Sequence, residues 1–167
     1  MDDPLSCRDA QPERLPPVCV NRRLPANNAA MAESIIMPSL RILLVDDSAE
    51  FLESAARLLL LLHQELSIVG RAASGSAALE QVALLKPDLV LMDLAMPGMN
   101  GLETTRQIKA RPFAPRVVIM TLYDVAEYRA AARAALADGF IAKSSIRSQL
   151  IPMLAGLFPE RAASDSD

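Results

Sequence analysis

Five short apolar runs recur along the chain, each followed by a segment whose apolar positions return at helical intervals. Residues 41–45 (RILLV), 66–72 (LSIVGRA), 88–92 (DLVLM), 116–120 (RVVIM) and 139–142 (GFIA) have the length and apolar character of buried strands. Between the first two, "AEFLESAARLLLLLHQ" carries a helical stripe at Phe51, Ala55, Leu58, Leu59 and Leu62, with Ser48 as its N-cap. Three more helices are predicted from "SAALEQVALL", stopped before Pro87, from "GLETTRQIKA" and from the Ala-rich "VAEYRAAARAAL". A fifth helix lies within residues 145–158. Because a helix tolerates proline in its first turn, Pro152 predicts a start near Ser148. Leu60 and Leu61 widen the apolar face of the first helix, either as a broad core face or as a docking patch for a partner helix.

Most of these strands are apolar throughout, the pattern of a parallel sheet covered on both faces. Five strands alternating with five helices, joined by right-handed crossovers, predict an α/β, doubly wound parallel sheet. Such sheets bind ligands at the carboxyl ends of their strands. Those ends carry Asp46 and Asp47 after the first strand, Asp93 after the third, Thr121 after the fourth and Lys143 after the fifth. Three carboxylates in one crevice repel each other, and a lysine with a divalent cation would compensate. Hard oxygen donors with open positions suit Mg²⁺, which keeps waters and accepts phosphate oxygens. A carboxylate such as Asp93 can itself attack phosphorus to give an aspartyl phosphate. Mg²⁺, Lys143 and Thr121 are the kinds of group that neutralise charge on a transferred phosphoryl. The loop "AMPGMNG" turns the chain away from the strand tip.

Composition alters this picture mainly at the termini. Residues 1–38 hold six of the 12 prolines and no glycine, without a sustained period. They read as a disordered leader, or as an over-extended start with translation beginning at Met31 or Met37. Residues 39–158 then form one folded domain and residues 159–167 a flexible acidic tail. Cys7 and Cys19 both fall in the leader, where they neither staple the fold nor complete a four-ligand metal site, so a reduced cytoplasmic protein is expected. A net charge of -3, with 17 basic and 20 acidic residues dispersed along the chain, argues against a dedicated nucleic-acid or anionic-membrane surface. The first residues lack the basic-then-apolar order of a secretory signal, and the apolar runs are too short to span a bilayer. His63 is expected to be an exposed residue near a helix end.

The set "LLVDDS", "LVLMDLAMPGMNGLE", "VVIMT" and "ADGFIAK" resembles the receiver domain of two-component response regulators. The spacing agrees: 47 residues from Asp46 to Asp93, 28 more to Thr121 and 22 more to Lys143. The resemblance implies a flavodoxin-like sheet of order 2-1-3-4-5. It implies Asp93 as phosphoacceptor and Mg²⁺ held by Asp46, Asp47, Asp93 and the backbone carbonyl of Ala95. Thr121 and Lys143 would bind the phosphoryl oxygens, and Thr121 and Phe140 would form the switch pair. Chemistry would be limited to self-catalysed phosphoryl transfer to Asp93 and slow autodephosphorylation. The implied donor is a histidine kinase or phosphotransfer protein. The output would be a phosphorylation-dependent change in binding of a partner protein or a second copy, with no direct nucleic-acid contact and no membrane insertion.

The stretch "TLYDVAEYRAAARAALADGF" is most similar to receivers of LuxR/NarL-type regulators, which precede a DNA-binding helix-turn-helix. Only "PERAASDSD" follows Phe158, so a stand-alone receiver is expected. The alternatives are a receiver-fold adaptor read without phosphorylation and the receiver half of a DNA-binding regulator. Several positions depart from the family pattern. Leu122 is bulky where a small residue is common and would narrow access to the phosphate, and Leu136 stands where glycine is common. Phe140 has no hydroxyl, so its switch would work by packing alone. Ala95 and Tyr123 occupy variable positions that bear on phosphate lifetime. Taken singly, each site residue also has a plain reading. Asp46 and Asp47 would favour a helix N-terminus, Asp93 would form a turn, Lys143 would be a solvated charge, and Thr121 and Phe140 would be ordinary strand and core residues. Their combination is what favours a site.

Overall fold

Alternate residues of a strand point to opposite faces, so apolar runs such as LVLM need cover on both sides of the sheet. The computed structural model describes residues 39–162. The expectations for residues 1–38, including Cys7, Cys19, Met31 and Met37, and for residues 163–167 lie outside the described residues. The strands are β1 (Leu40–Val45), β2 (Leu66–Ala72), β3 (Leu89–Asp93), β4 (Arg116–Thr121) and β5 (Gly139–Ala142). The helices are α1 (Ala49–Leu62), α2 (Gly75–Leu85), α3 (Gly101–Lys109), α4 (Ala126–Ala134), α5 (Ile146–Leu157) and the four-residue α6 (Pro159–Ala162). All strand pairs are parallel and the order is β2-β1-β3-β4-β5.

The alternation divides the core in two. Ile42 and Leu44 of β1 and Leu89 and Leu91 of β3 pack against Leu52 and Leu59 of α1 and Leu150 and Leu154 of α5. Leu43, Val45, Val90 and Met92 face the other way, towards Ala78 of α2, Ile108 of α3 and Ala132 of α4. Every residue of β3 is buried. At roughly 1.5 to 3 kcal/mol for each fully buried aliphatic side chain, the central strands are the fixed frame on which the strand ends are mounted.

The starts of the strands are held by two acids. The Arg41 N–H donates to Asp88 Oδ2 at 2.9 Å, tying β1 to β3. Before β5, Asp138 Oδ2 accepts the Val117 N–H at 2.7 Å and pairs with Lys109, while Oδ1 accepts from Arg116 Nη1 at 2.9 Å. Burial opposes the charge of Asp138, but the bonds from Lys109, the Val117 N–H and Arg116 together hold its carboxyl below the usual range.

The structure differs from the sequence reading in several places. First, α5 begins at Ile146, after a 3₁₀ turn over Lys143–Ser145, so Pro152 lies in the helix interior and not in its first turn. The carbonyl deprived of an N–H partner is that of Ser148, an exposed residue that water can serve, which explains why the proline is tolerated. Second, the chain continues into α6, a sixth helix absent from the sequence reading. Third, the buried stripe of α1 is Leu52, Ala55, Ala56 and Leu59, while Leu60 and Leu61 stand 57% and 84% exposed, so the broad-core reading fails. Fourth, β3 reaches Asp93 and β4 reaches Thr121, so each strand runs one residue further than expected and both are ladder residues. Leu136, at the position where glycine is common, adopts φ +64°, a left-handed conformation costing roughly 1 to 2 kcal/mol for a residue with a Cβ. Ser48 caps α1 as expected, its Oγ accepting the Phe51 N–H at 3.2 Å. His63 is half-buried rather than exposed and caps the other end of that helix.

Asp138→Ala strips the nearly buried Lys109 ammonium of its carboxylate and is expected to cost roughly 2 to 3 kcal/mol in urea denaturation at pH 7. With a folded pKa below the unfolded value, the stabilisation from Asp138 is present above about pH 3.9. It is lost as pH falls through the depressed value, so the gap between wild type and variant should close there.

Candidate functional site

β1 and β3 are neighbours in register, with Val45 opposite Met92, so their next residues, Asp46 and Asp93, emerge side by side. Asp46 is still tied to the sheet through its N–H, which donates to the Ala72 carbonyl at 3.0 Å, and it is wholly buried. Asp47, the next residue, is exposed. Ligand oxygens of Asp46, Asp47 and Asp93 all lie within 4.8 Å of one another. Lys143, from the far side of the sheet, places its Nζ 2.5 Å from Asp46 Oδ2 and 2.8 Å from Asp93 Oδ1. Asp46 Oδ1 accepts the Ser48 N–H at 2.9 Å. No described residue donates to Asp93 Oδ2.

These surroundings set the protonation of the group at the centre. Burial pushes the Asp93 carboxyl above its ordinary pKa; the charges of Asp46 and Asp47 push it further, and the Lys143 ammonium only partly offsets them. For Lys143, burial works against the charge, but its bonds to Asp46 and Asp93 carry the ammonium above the usual lysine value. Three carboxylates balanced by one ammonium leave a negative excess, and every donor is a hard oxygen. This donor set fits a divalent cation of the Mg²⁺ type. Ala95, two residues after Asp93, lies on the exposed loop, and no described residue donates to its carbonyl.

A glycine is required where the loop rejoins the fold. The Gly101 N–H donates to the Leu94 carbonyl at 3.0 Å, bringing the start of α3 against the end of β3. A Cβ at Gly101 would lie 1.9 Å from the Asp93 carbonyl oxygen. The close return of "MNG" thus fixes the backbone that carries Asp93.

The other two expected residues are engaged elsewhere. Thr121 is buried at the end of β4, where its hydroxyl is 3.2 Å from both the Tyr123 N–H and the Tyr123 carbonyl. Phe140 pairs with Ile119 in the sheet, is half-buried, and lies outside the acidic cluster. The Arg129 guanidinium covers its ring at 5.0 Å. Packing is therefore not the only force on Phe140, contrary to the expectation from its missing hydroxyl. Arg129 also forms a two-pronged pair with Asp124, three residues beyond Thr121. Leu122 and Tyr123 point largely to solvent, at 71% and 68% exposure.

The sequence reading also missed Phe51. Its ring lies 4.2 Å from Lys143 Nζ, although its place in the apolar stripe marked it only as core. The available signals were weak: Phe51 is in the first turn of α1, at the strand-end side of the sheet, and Asp124 and Arg129 flank a helix start.

Comparison with known proteins agrees with this fold. Residues 42–155 match the family model of the response regulator receiver domain. The nitrate/nitrite response regulator protein NarL of Escherichia coli (strain K12) is 34% identical over 113 residues, which are 68% of this chain and 52% of that protein. A protein-glutamate methylesterase/protein-glutamine glutaminase of Nocardioides sp. is 35% identical over 140 residues, 75% of this chain and 37% of that protein. The chain thus spans about half the length of the first and little more than a third of the second. A LuxR-family two-component response regulator from Aurantimonas sp. SI85-9A1 superposes with a TM-score of 0.67 at 32% identity, covering 72% of this chain and 85% of that one. The signal receiver domain of NarL from Mycobacterium tuberculosis gives 0.65 at 29%, covering 71% and 95%.

Two outcomes follow from the geometry. A raised folded pKa for Asp93 costs nothing below the unfolded value and costs most above the folded one. Asp93→Asn should therefore raise the thermal midpoint at pH 7 in metal-free buffer, with the gain vanishing below about pH 3.9. Gly101→Ala should lose roughly 2 to 4 kcal/mol in urea denaturation, because the atom its Cβ meets is backbone and cannot swing aside.

Proposed function

The chain belongs to the response regulator receiver domain family, and we propose that Asp93 is the phosphoacceptor of a Mg²⁺-dependent receiver served by a histidine kinase or phosphotransfer protein. The observation that carries this reading is Asp93 itself. It is 4% exposed, ends a fully buried strand, and offers one oxygen to Lys143 while the other takes no bond from a described residue. An oxygen of that carboxylate attacks phosphorus in line, an O–P bond forms, and the P–N bond to the donor imidazole breaks. Asp46, Asp47, Asp93 and the Ala95 carbonyl would hold the cation, which neutralises charge on the transferred group when bound. Lys143, already beside Asp93 Oδ1, would meet the oxygens of the transferred group.

Thr121 and Phe140 form the proposed switch. Phosphorylation gives the Thr121 hydroxyl a charged oxygen in place of the Tyr123 backbone. Movement of that loop carries Asp124, and with it the Arg129 guanidinium that covers Phe140. Moving such an equilibrium from 1:99 to 99:1 needs about 5.5 kcal/mol. A few charge-assisted bonds at roughly 1.5 to 3 kcal/mol each are of that size. The switch would be read by a partner protein or a second copy of the chain.

Incubation with acetyl phosphate and Mg²⁺, followed by intact mass measurement, tests the chemistry. The expected result is one phosphoryl group gained by wild type, none by Asp93→Ala, and none after chelation. Absence of the gain together with a thermal midpoint unmoved by Mg²⁺ would overturn the reading and leave the phosphorylation-independent adaptor in its place.

A further inference from the structure

Lys143 has three ammonium protons, and the carboxylates of Asp46 and Asp93 accept two of them. What occupies the remaining side is aromatic: the Phe51 ring, 4.2 Å from Nζ. The lysine side chain is only 10% exposed, so water cannot freely take that role. A ring face attracts a cation through its quadrupole and competes for none of the hydrogen bonds the carboxylates make.

The ring is also not free to drift. Asp46 Oδ1 accepts the Ser48 N–H, Ser48 Oγ accepts the Phe51 N–H, the Phe51 ring meets the Lys143 ammonium, and Lys143 returns to Asp46 Oδ2. Four residues thus close a circuit that begins and ends on one carboxylate. The N-cap of α1 sets the first turn of that helix, and the first turn sets the ring against the lysine.

We propose that Phe51 is a positioning residue for Lys143, holding its ammonium against Asp93 when Asp46 turns to other partners. The proposal rests on the phosphoacceptor reading. A cation bound by Asp46 competes with Lys143 for the same carboxylate, and Lys143 then keeps Asp93 and the ring. Without the ring the long lysine side chain gains rotamers that do not reach Asp93, and charge on the incoming phosphoryl group is met later or less often. Phe51 touches neither the donor nor the phosphoryl group in this scheme, and it acts only through Lys143.

The test uses the full chain with Phe51→Leu, which keeps an apolar side chain without a ring, and Phe51→Tyr, which keeps the ring face. Without metal or phosphodonor, the ε-methylene protons of Lys143 should be shifted upfield by the ring current in wild type and Phe51→Tyr. In Phe51→Leu they should return to ordinary lysine values. With acetyl phosphate and Mg²⁺, Phe51→Leu should be phosphorylated about three- to tenfold more slowly, at an unchanged half-saturating donor concentration, and Phe51→Tyr should restore the rate. Equal rates in wild type and Phe51→Leu would overturn the proposal while leaving Asp93 as phosphoacceptor. A rate lost in both variants despite native circular dichroism would also overturn it, because the ring face would then not be what matters. A wild type that gains no phosphoryl group would instead overturn the underlying reading, and the ring-current shift would still report whether the contact exists.

Discussion

The Lys143 ammonium lies between two carboxylates that the sheet brings together, and the carboxyl end of the sheet depends on it. Two unit charges about 4 Å apart interact by roughly 4 kcal/mol at an effective dielectric of 20. Asp46, Asp47 and Asp93 present three such repulsions, and Lys143 supplies two close attractions. Attraction and repulsion nearly cancel, so burial decides: it raises the Asp93 carboxyl above its ordinary pKa, the two neighbouring acids add to the rise, and Lys143 only partly offsets it. The apolar strands tolerate this because their own burial is much larger. The unbalanced charge is therefore held in place, available to a cation or to a phosphoryl group that brings one.

The two ends of the sheet show how the same side chain can be either structure or chemistry. Asp138 at the strand starts receives a backbone N–H and two cationic side chains, and its pKa is lowered. Asp93 at the strand ends receives one ammonium and faces two other acids, and its pKa is raised. Burial opposes ionisation in both. What separates them is the number of donors. An acid with both oxygens answered is a clamp, whereas one with an unanswered oxygen at the tip of a rigid strand can bind or react.

How much of this could be read from the sequence follows the same division. The strands were legible because a buried parallel strand must be apolar throughout, and the site because polar residues directly after such runs are conspicuous. Asp46, Asp47, Asp93 and Lys143 do converge. The strand order was legible only through the family resemblance, since periodicity says nothing about which strands are neighbours. Pro152 misled because the rule concerns a lost hydrogen bond, and sequence does not tell that Ser148, whose carbonyl is affected, is an exposed residue. Leu60 and Leu61 misled because a stripe records spacing and not where the sheet beneath the helix ends. Phe51 and Arg129 were invisible as partners because cation–ring contacts join residues far apart in sequence with no fixed spacing.

Those two contacts differ in the way the proposed switch would require. The circuit from Asp46 through Ser48 and Phe51 to Lys143 closes on itself, and its charged members are nearly buried. Displacing any member strains the other three, so the circuit resists motion. The sequence of contacts from Thr121 through Tyr123, Asp124 and Arg129 to Phe140 is open, and its ion pair is 44% and 38% exposed. An exposed pair of that kind contributes at most about 1 kcal/mol, and an exposed cation–ring contact a similar amount. A perturbation at Asp93 meets a stiff wall on the Lys143 side and a weak one on the Thr121 side. In the proposed switch, displacement would therefore run towards Phe140, through contacts that cost little to break and little to remake.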